Sequence, residues 1–180
     1  MEITGERELG VPIDVVWRGL LDPEILKACI PGGEEVKTTG EGAYVIKMTT
    51  AIGPLKAKMS GKLNIVDAQP PTHCTLIFEG SGGAIGFAKG SSSVTLCEKG
   101  SGTTLKYSAN TQISGKLAQL GSRMIDGVAK KLAAEFFDRF EAALNPKEPA
   151  SAIEEQAGGT SDGWIKRKLA GLTSSKVDSL

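Results

Sequence analysis

The residues of this sequence that could do chemistry are few, and their spacing matches no catalytic or metal-binding pattern. His73 is the single histidine, so a multi-histidine metal site is excluded. It follows Pro70-Pro71 at a predicted turn, where an exposed polar residue is expected rather than a catalytic base. Cys29, Cys74 and Cys97 are odd in number and lack ligand spacing, which fits reduced thiols better than disulfides. We therefore predict no catalytic and no metal-ligating residues.

A glycine-rich stretch at residues 80–91 resembles a nucleotide-binding loop only superficially. Position 85 is isoleucine, so the glycines do not fit G-x-G-x-x-G, and a strand rather than a helix is predicted to follow. The fragment Ala88-Lys89-Gly90-Ser91 has the wrong order for a phosphate-binding P-loop. The sequence therefore predicts no nucleotide cofactor.

The charge balance and hydropathy limit the classes of partner. Lysine plus arginine and aspartate plus glutamate number 21 each, and a nucleic-acid binder needs a basic excess to replace counterions. The N-terminal residues MEITGEREL contain no apolar signal region, and no run of about 18 apolar residues is present. We expect a cytoplasmic protein without a membrane-spanning segment.

The elements that could enclose an apolar ligand follow one another along the chain. Ile3 to Leu9 is predicted to be a strand, and Pro12 and Pro23 then open two short helices, the second ending at Cys29. From residue 35 to residue 109 the pattern alternates, which predicts about six strands. In the clearest of them, Leu55 to Val66, one face is apolar and the other carries lysines. Such a strand indicates an antiparallel sheet with one side in water.

A single long helix is predicted from Ser114 to Leu144. The stretch contains no proline, Ser114 is a suitable N-cap, and Asn145-Pro146 ends the helix. Apolar residues spaced by three or four make one face amphipathic, and Gly121 on that face leaves room for a close partner. The sequence thus predicts an α+β fold in which a curved antiparallel sheet of about seven strands is closed by one long C-terminal helix.

A strongly curved sheet around a helix leaves a space that suits an apolar ligand. Methionines adapt to such a ligand because their side chains are unbranched and polarizable. The residues that we predict to line the space are Met48, Met59, Phe78 and Phe87 from the sheet, Leu117, Leu120, Gly121, Met124 and Val128 from the helix, and Trp17 at one end. We expect Gly121→Trp to fill the space and to weaken ligand binding.

The residues beyond Asn145 differ in composition from the rest. Residues 146–163 are rich in Pro, Ala, Gly, Ser and Glu, which predicts a flexible linker after a domain of residues 1–145. Residues 164–180 begin with an amphipathic pattern in which apolar positions flank a basic cluster. Its membrane-binding candidates are Trp164, Ile165, Lys166, Arg167, Lys168, Leu169 and Leu172. The alternative for this tail is a helix that docks on a partner protein.

Several motifs resemble the G-subunit family of carbon monoxide dehydrogenase, within the START and Bet v 1-like helix-grip superfamily. They are Asp22-Pro23-Glu24, Cys29-Ile30-Pro31-Gly32, Gly53-Pro54, Gly86-Phe87-Ala88-Lys89-Gly90 and the long-helix run GKLAQLGSRMIDGVAKKLAAEFF. The resemblance covers roughly residues 1–144, and the long-helix run is its most specific part.

The resemblance implies a helix-grip fold and an accessory role beside a molybdenum hydroxylase of the carbon monoxide dehydrogenase type. It also implies attachment of that enzyme to the inner face of the cytoplasmic membrane, and a lipophilic quinone such as menaquinone or ubiquinone as the ligand. The leading hypothesis is therefore a non-enzymatic carrier of a hydrophobic ligand without a covalent cofactor. The alternatives are a polyketide cyclase or aromatase, which the superfamily also contains, and an assembly factor without a ligand role.

Overall fold

The computed structural model describes residues 1–145, so the predictions for the linker at 146–163 and the tail at 164–180 lie outside the described residues. The elements in chain order are β1 (Glu2–Leu9), α1 (Ile13–Leu21), α2 (Pro23–Cys29), β2 (Gly33–Gly40), β3 (Ala43–Ile52), β4 (Leu55–Gln69), β5 (His73–Ser81), β6 (Phe87–Lys99), β7 (Gly102–Ser114) and α3 (Ser122–Leu144). Short 3₁₀ turns lie at Gly83–Ile85 and Ala118–Leu120.

The seven strands form one antiparallel sheet in the order β1-β7-β6-β5-β4-β3-β2. Strands β2 to β6 each pair with the next strand in the sequence. Strand β1 pairs with β7, so β1 and β2 are the two edge strands of the sheet. On β4 the predicted alternation is present, because Ala57 is fully buried between exposed Lys56 and Lys58. The predicted α+β architecture of seven strands, two short helices and a C-terminal helix is confirmed.

Glycines allow neighbouring strands to approach closely in the middle of the sheet. A Cβ added at Gly61 would lie 2.7 Å from the carbonyl oxygen of Glu79. A Cβ added at Gly90 would lie 2.1 Å from the carbonyl oxygen of Asn110. A side chain at either position would push the strands apart, so these two glycines are required for the path of the sheet around the helices.

The two short helices begin as their prolines and acidic residues predict. Pro12 precedes α1 in an extended conformation, and Pro23 occupies the first turn of α2. The Asp22 carboxylate accepts hydrogen bonds from the backbone N–H groups of Glu24 (2.9 Å) and Ile25 (3.3 Å). Asp22 therefore satisfies two of the donors that the start of α2 would otherwise leave free.

We expect Asp22→Ala to lower the free energy of unfolding by about 1 kcal/mol, the usual cost of removing an N-cap side chain. Urea denaturation followed by circular dichroism measures this change. Asp14→Ala, in the first turn of α1, is the control, because Asp14 is exposed and its side chain does not cap that helix. Equal losses in the two variants would contradict the capping role of Asp22.

The prediction that the long helix begins at Ser114 is wrong. Strand β7 continues to Ser114, where it pairs with Phe87 of β6. The chain then makes a 3₁₀ turn, and Gly121 adopts φ +82° before α3 begins at Ser122. A positive φ of this kind interrupts a right-handed helix. The end at Leu144 agrees with the prediction, since Asn145 is the C-cap.

The core packs α1, α2 and the second half of α3 against the sheet. Its most buried large side chains are Phe140, Leu96, Leu105 and Val16. Gly19 of α1 allows α3 to come close, because an added Cβ would lie 2.5 Å from Leu144. The first half of α3 covers a second, smaller cluster centred on Ile52, Ala57, Leu117 and Ile125.

Candidate functional site

A cavity of about 310 Å³ lies between the helices and the inner face of the sheet. Helices α1 and α2 and the second half of α3 form one wall, and strands β4 to β7 form the other. The lining residues are Trp17, Leu20, Leu21, Leu26, Ile30, Leu63, Ile65, Cys74, Leu76, Ser92, Val94, Leu105, Tyr107, Ala133, Phe136 and Phe137. Most of these side chains are hydrocarbons without a polar atom, so the cavity suits an apolar ligand.

Aromatic side chains form one end of the cavity wall. The rings of Tyr107 and Phe137 stack with centroids 5.7 Å apart, and Phe137 meets Phe136 edge to face at 5.3 Å. Tyr107 can lie across β1 because Gly5 has no side chain. A Cβ at Gly5 would be 2.4 Å from the Tyr107 hydroxyl oxygen. Aromatic faces arranged in this way favour contact with a flat, apolar ring.

Two small polar side chains face this apolar cavity from the sheet. Ser92 is 8% exposed, and it lies on β6 in the wall of the cavity. A hydroxyl both donates and accepts hydrogen bonds, so a ligand carbonyl or hydroxyl at this point can bond to it. Burial raises the pKa of the nearby Cys74 thiol, which keeps it protonated and a weak nucleophile at neutral pH.

Of the residues predicted to line the ligand space, the structure places Trp17 in the wall of this cavity. Four others, Met59, Leu117, Leu120 and Val128, come together in the second apolar cluster under the first half of α3. They pack with one another there, and they do not line the cavity.

The remaining five candidates are dispersed. By strand alternation, Met48 and Phe78 share the inner face with Leu63, and they pair with Met59 and Gly90 respectively. Phe87 is 44% exposed, and its side chain lies on the outer face of the sheet, near Val45 and Lys62. The other two residues are Met124, which is 43% exposed, and Gly121, which precedes α3 and has no neighbouring atom at its Cβ position. A substitution that fills the cavity therefore has to start from one of its own lining residues.

Apart from Trp17, the residues that the helices contribute to the wall were not predicted from the sequence. Leu20 and Leu21 of α1, and Leu26 and Ile30 around α2, close the cavity beside α3. Their signal was the pair of short proline-started helices after the first strand, which have to pack on the sheet to bury their apolar sides. Ser92 had no comparable signal in the sequence, because the residue type alone does not distinguish a serine on the inner face of the sheet from a serine on the solvent-exposed face.

A family model described as the G subunit of carbon monoxide dehydrogenase (CoxG) matches residues 5–145 of this chain. The chain belongs to this family. The match begins within β1 and ends at the C-cap of α3, so it includes every element of the cavity wall. The family resemblance inferred from the short motifs and the long-helix run is confirmed.

Solved structures of known proteins share the fold of this family member. A conserved protein from Geobacillus kaustophilus is 32% identical, covers 80% of this chain and 95% of its own, and superposes with a TM-score of 0.76. Protein Ms6760 from Mycobacterium smegmatis is 20% identical, with 79% and 90% of the two chains covered and a TM-score of 0.60. No curated protein sequence matches significantly.

An aromatase/cyclase from Streptomyces sp. R1128 has the same fold at 14% identity, with 89% and 99% of the two chains covered and a TM-score of 0.59. The predicted helix-grip fold is therefore confirmed. Within residues 1–145, no helix has the length and hydropathy that crossing a bilayer requires. The same residues contain no group of three or more His, Cys, Asp or Glu side chains placed to hold a metal ion.

Proposed function

We propose that this CoxG family member is a non-enzymatic carrier for a hydrophobic ligand, namely a respiratory quinone such as menaquinone or ubiquinone, or a similar lipid. In this role it links a carbon monoxide dehydrogenase-type molybdenum hydroxylase to the inner face of the cytoplasmic membrane. The observation that carries the proposal is the apolar cavity of about 310 Å³, which has the Ser92 hydroxyl in its wall.

The size and lining of the cavity support a ring with one or two polar atoms. Ligand pockets usually span about 300–1,000 Å³, so this cavity is near the small end of that range. A quinone ring would stack on the aromatic wall of Tyr107 and Phe137, and one carbonyl oxygen would accept a hydrogen bond from Ser92. The volume accommodates the ring and the first part of an isoprenoid chain.

Extraction of the purified full-length protein with organic solvent, followed by mass spectrometry, tests the proposal. We expect a co-purified isoprenoid quinone or a similar lipid at a substantial fraction of one molecule per chain. A protein that yields no lipid and also fails to bind an added quinone, but still binds the hydroxylase, would instead be an assembly factor. In that case the carrier function would be wrong.

A cyclase or aromatase is the second candidate, because the fold is shared with a known aromatase/cyclase. Such chemistry requires a general acid or base within hydrogen-bond reach of the reacting atoms. Among the described lining residues, Ser92, Cys74, Tyr107 and Trp17 are the polar ones, and no carboxylate, imidazole or amine faces the cavity. This composition supports the carrier over the enzyme.

The membrane link is proposed to involve the tail of residues 164–180. Met1–Asn145 make a compact unit by their own contacts, so we expect deletion of residues 163–180 to leave the domain folded and able to bind its ligand. Three cations near an anionic leaflet contribute about 1 kcal/mol each. The deletion should therefore lower co-sedimentation with anionic liposomes strongly at low salt. Equal pelleting of the full-length and shortened proteins would show that the tail is not an anchor.

A further inference from the structure

The net charge of zero conceals a basic region at one end of the sheet. Three connecting segments meet there, each with the ends of the strands or helix that it joins. They are residues 49–60 between β3 and β4, 80–91 between β5 and β6, and 112–125 between β7 and α3. We call this region the basic tip. The segments contain Lys56, Lys58, Lys89, Lys116 and Arg123, but no aspartate or glutamate. Acidic residues lie at the border of the region: Asp126 directly follows the third segment, and the Glu34 carboxylate accepts a hydrogen bond from the Thr49 hydroxyl (2.7 Å).

Direct contacts hold the three segments together. The backbone N–H of Leu117 donates to the carbonyl oxygen of Ile85 (3.0 Å), which joins the third segment to the second. Ser60 pairs with Ser81 across β4 and β5, which joins the first to the second. The Met124 sulfur lies 2.6 Å from where a Gly53 Cβ would be, so α3 rests on the turn between β3 and β4. The tip is thus one surface rather than three separate loops.

Four cations of the tip have no acidic partner. Within residues 1–145, Lys56, Lys58, Lys116 and Arg123 are all exposed and form no ion pair, whereas Lys62 pairs with Glu79. Lys89 differs from these four, because it stands opposite Glu79 in the sheet register. Four unneutralised charges from two of the three segments produce a local positive field on a protein that is neutral overall.

Exposed apolar groups lie among these cations. Met124 is 43% exposed and Phe87 is 44% exposed. The turn residues Pro54 and Ala84 are exposed as well. Long basic side chains around small apolar groups are the pattern of a surface that sits at the boundary between lipid headgroups and acyl chains.

We propose that the basic tip is a docking surface for an anionic lipid bilayer. Lys56, Lys58, Lys116 and Arg123 contact the headgroups, while Met124 and the turn at Gly53-Pro54 enter the interface. This surface belongs to the folded domain and is distinct from the tail at residues 164–180. Exposed apolar groups beside the cations favour a bilayer over an acidic protein face, because an interfacial surface buries its apolar groups at the boundary between headgroups and acyl chains.

Co-sedimentation of the full-length protein with vesicles of phosphatidylcholine and phosphatidylglycerol, without quinone, tests the proposal. We expect Lys56→Glu/Arg123→Glu to lower the partition coefficient at least about tenfold, since two attractive charges become repulsive. The matched control is Lys27→Glu/Lys130→Glu, which changes the net charge equally at exposed positions outside the tip. The control should bind nearly as well as the unmodified protein.

Three outcomes would overturn the proposal. They are unchanged binding of the tip variant, an equal loss in the control, and equal binding to vesicles of phosphatidylcholine alone. Since the vesicles contain no quinone, the result is independent of whether the cavity binds one. A failure of the carrier proposal would therefore leave this test intact.

A label at Met124 provides a second measurement that does not depend on the fold of a charge-reversed variant. Met124→Cys in a Cys97→Ser background places an environment-sensitive fluorophore on the tip, because the other two cysteines are buried. We expect its emission to shift to the blue with anionic vesicles, while the same label at Lys130→Cys stays unchanged. An unchanged emission at position 124 would contradict the docking surface.

Discussion

Replacing Ala133 with tryptophan is expected to abolish binding of a quinone or similar ligand while the domain remains folded. Ala133 lines the cavity from α3 and is its smallest helical lining residue. An indole side chain at this position projects into the space of about 310 Å³ between α3 and the sheet. The ligand ring would then compete directly with a covalently attached ring. Isothermal titration calorimetry with a soluble naphthoquinone measures the loss.

The neighbouring residue supplies the control for this prediction. Ala134 is exposed and does not line the cavity, so Ala134→Trp should leave the affinity within about twofold of the unmodified protein. Near-native circular dichroism of both variants would show that the fold is retained. Unchanged affinity in a folded Ala133→Trp protein would mean that the ligand binds elsewhere and that the cavity is not the site.

The fold was largely predictable because its signals are local. Alternation of apolar and polar residues is repeated along β4, and Pro12, Pro23 and Asp22 mark the two short helices. The start of the long helix was not predictable in the same way. The stretch from Ser114 to Gly121 has helix-forming residues, yet pairing of β7 with β6 continues to Ser114. Tertiary pairing overrode local propensity there.

That error in the helix start explains part of the difference between the predicted lining residues and those of the observed cavity. Leu117 and Leu120 lie in the connection before α3, and Val128 lies in its first half, above the second apolar cluster. The cavity instead faces Ala133, Phe136 and Phe137, about one and a half to two and a half turns beyond Val128. Helical periodicity shows which face is apolar, but it does not show where along its length a helix crosses the sheet.

Phe140→Ala is expected to lower the free energy of unfolding by about 3–5 kcal/mol, the usual cost of truncating a buried phenylalanine. Phe140 is completely buried, and its ring stacks on Phe136 with centroids 5.5 Å apart. It also touches α1, since its ring atoms lie 3.2 Å from where a Gly19 Cβ would be. Truncation would leave a void at the junction of α1 and α3 next to the ligand cavity. Chemical denaturation of residues 1–145 and of the full-length chain measures the change in the free energy of unfolding.

Phe87→Ala is the control, because it removes the same aromatic ring from an exposed position. We expect it to lower the free energy of unfolding by less than about 1 kcal/mol, since the Phe87 side chain is 44% exposed. The comparison also separates stability from binding. The void left by Phe140→Ala adjoins Phe136 in the cavity wall, so we expect weaker ligand binding even at temperatures where the variant is folded. Phe87 lies on the outer face, and its truncation should leave affinity unchanged. Similar losses of stability in the two variants would contradict the placement of Phe140 at the centre of the core.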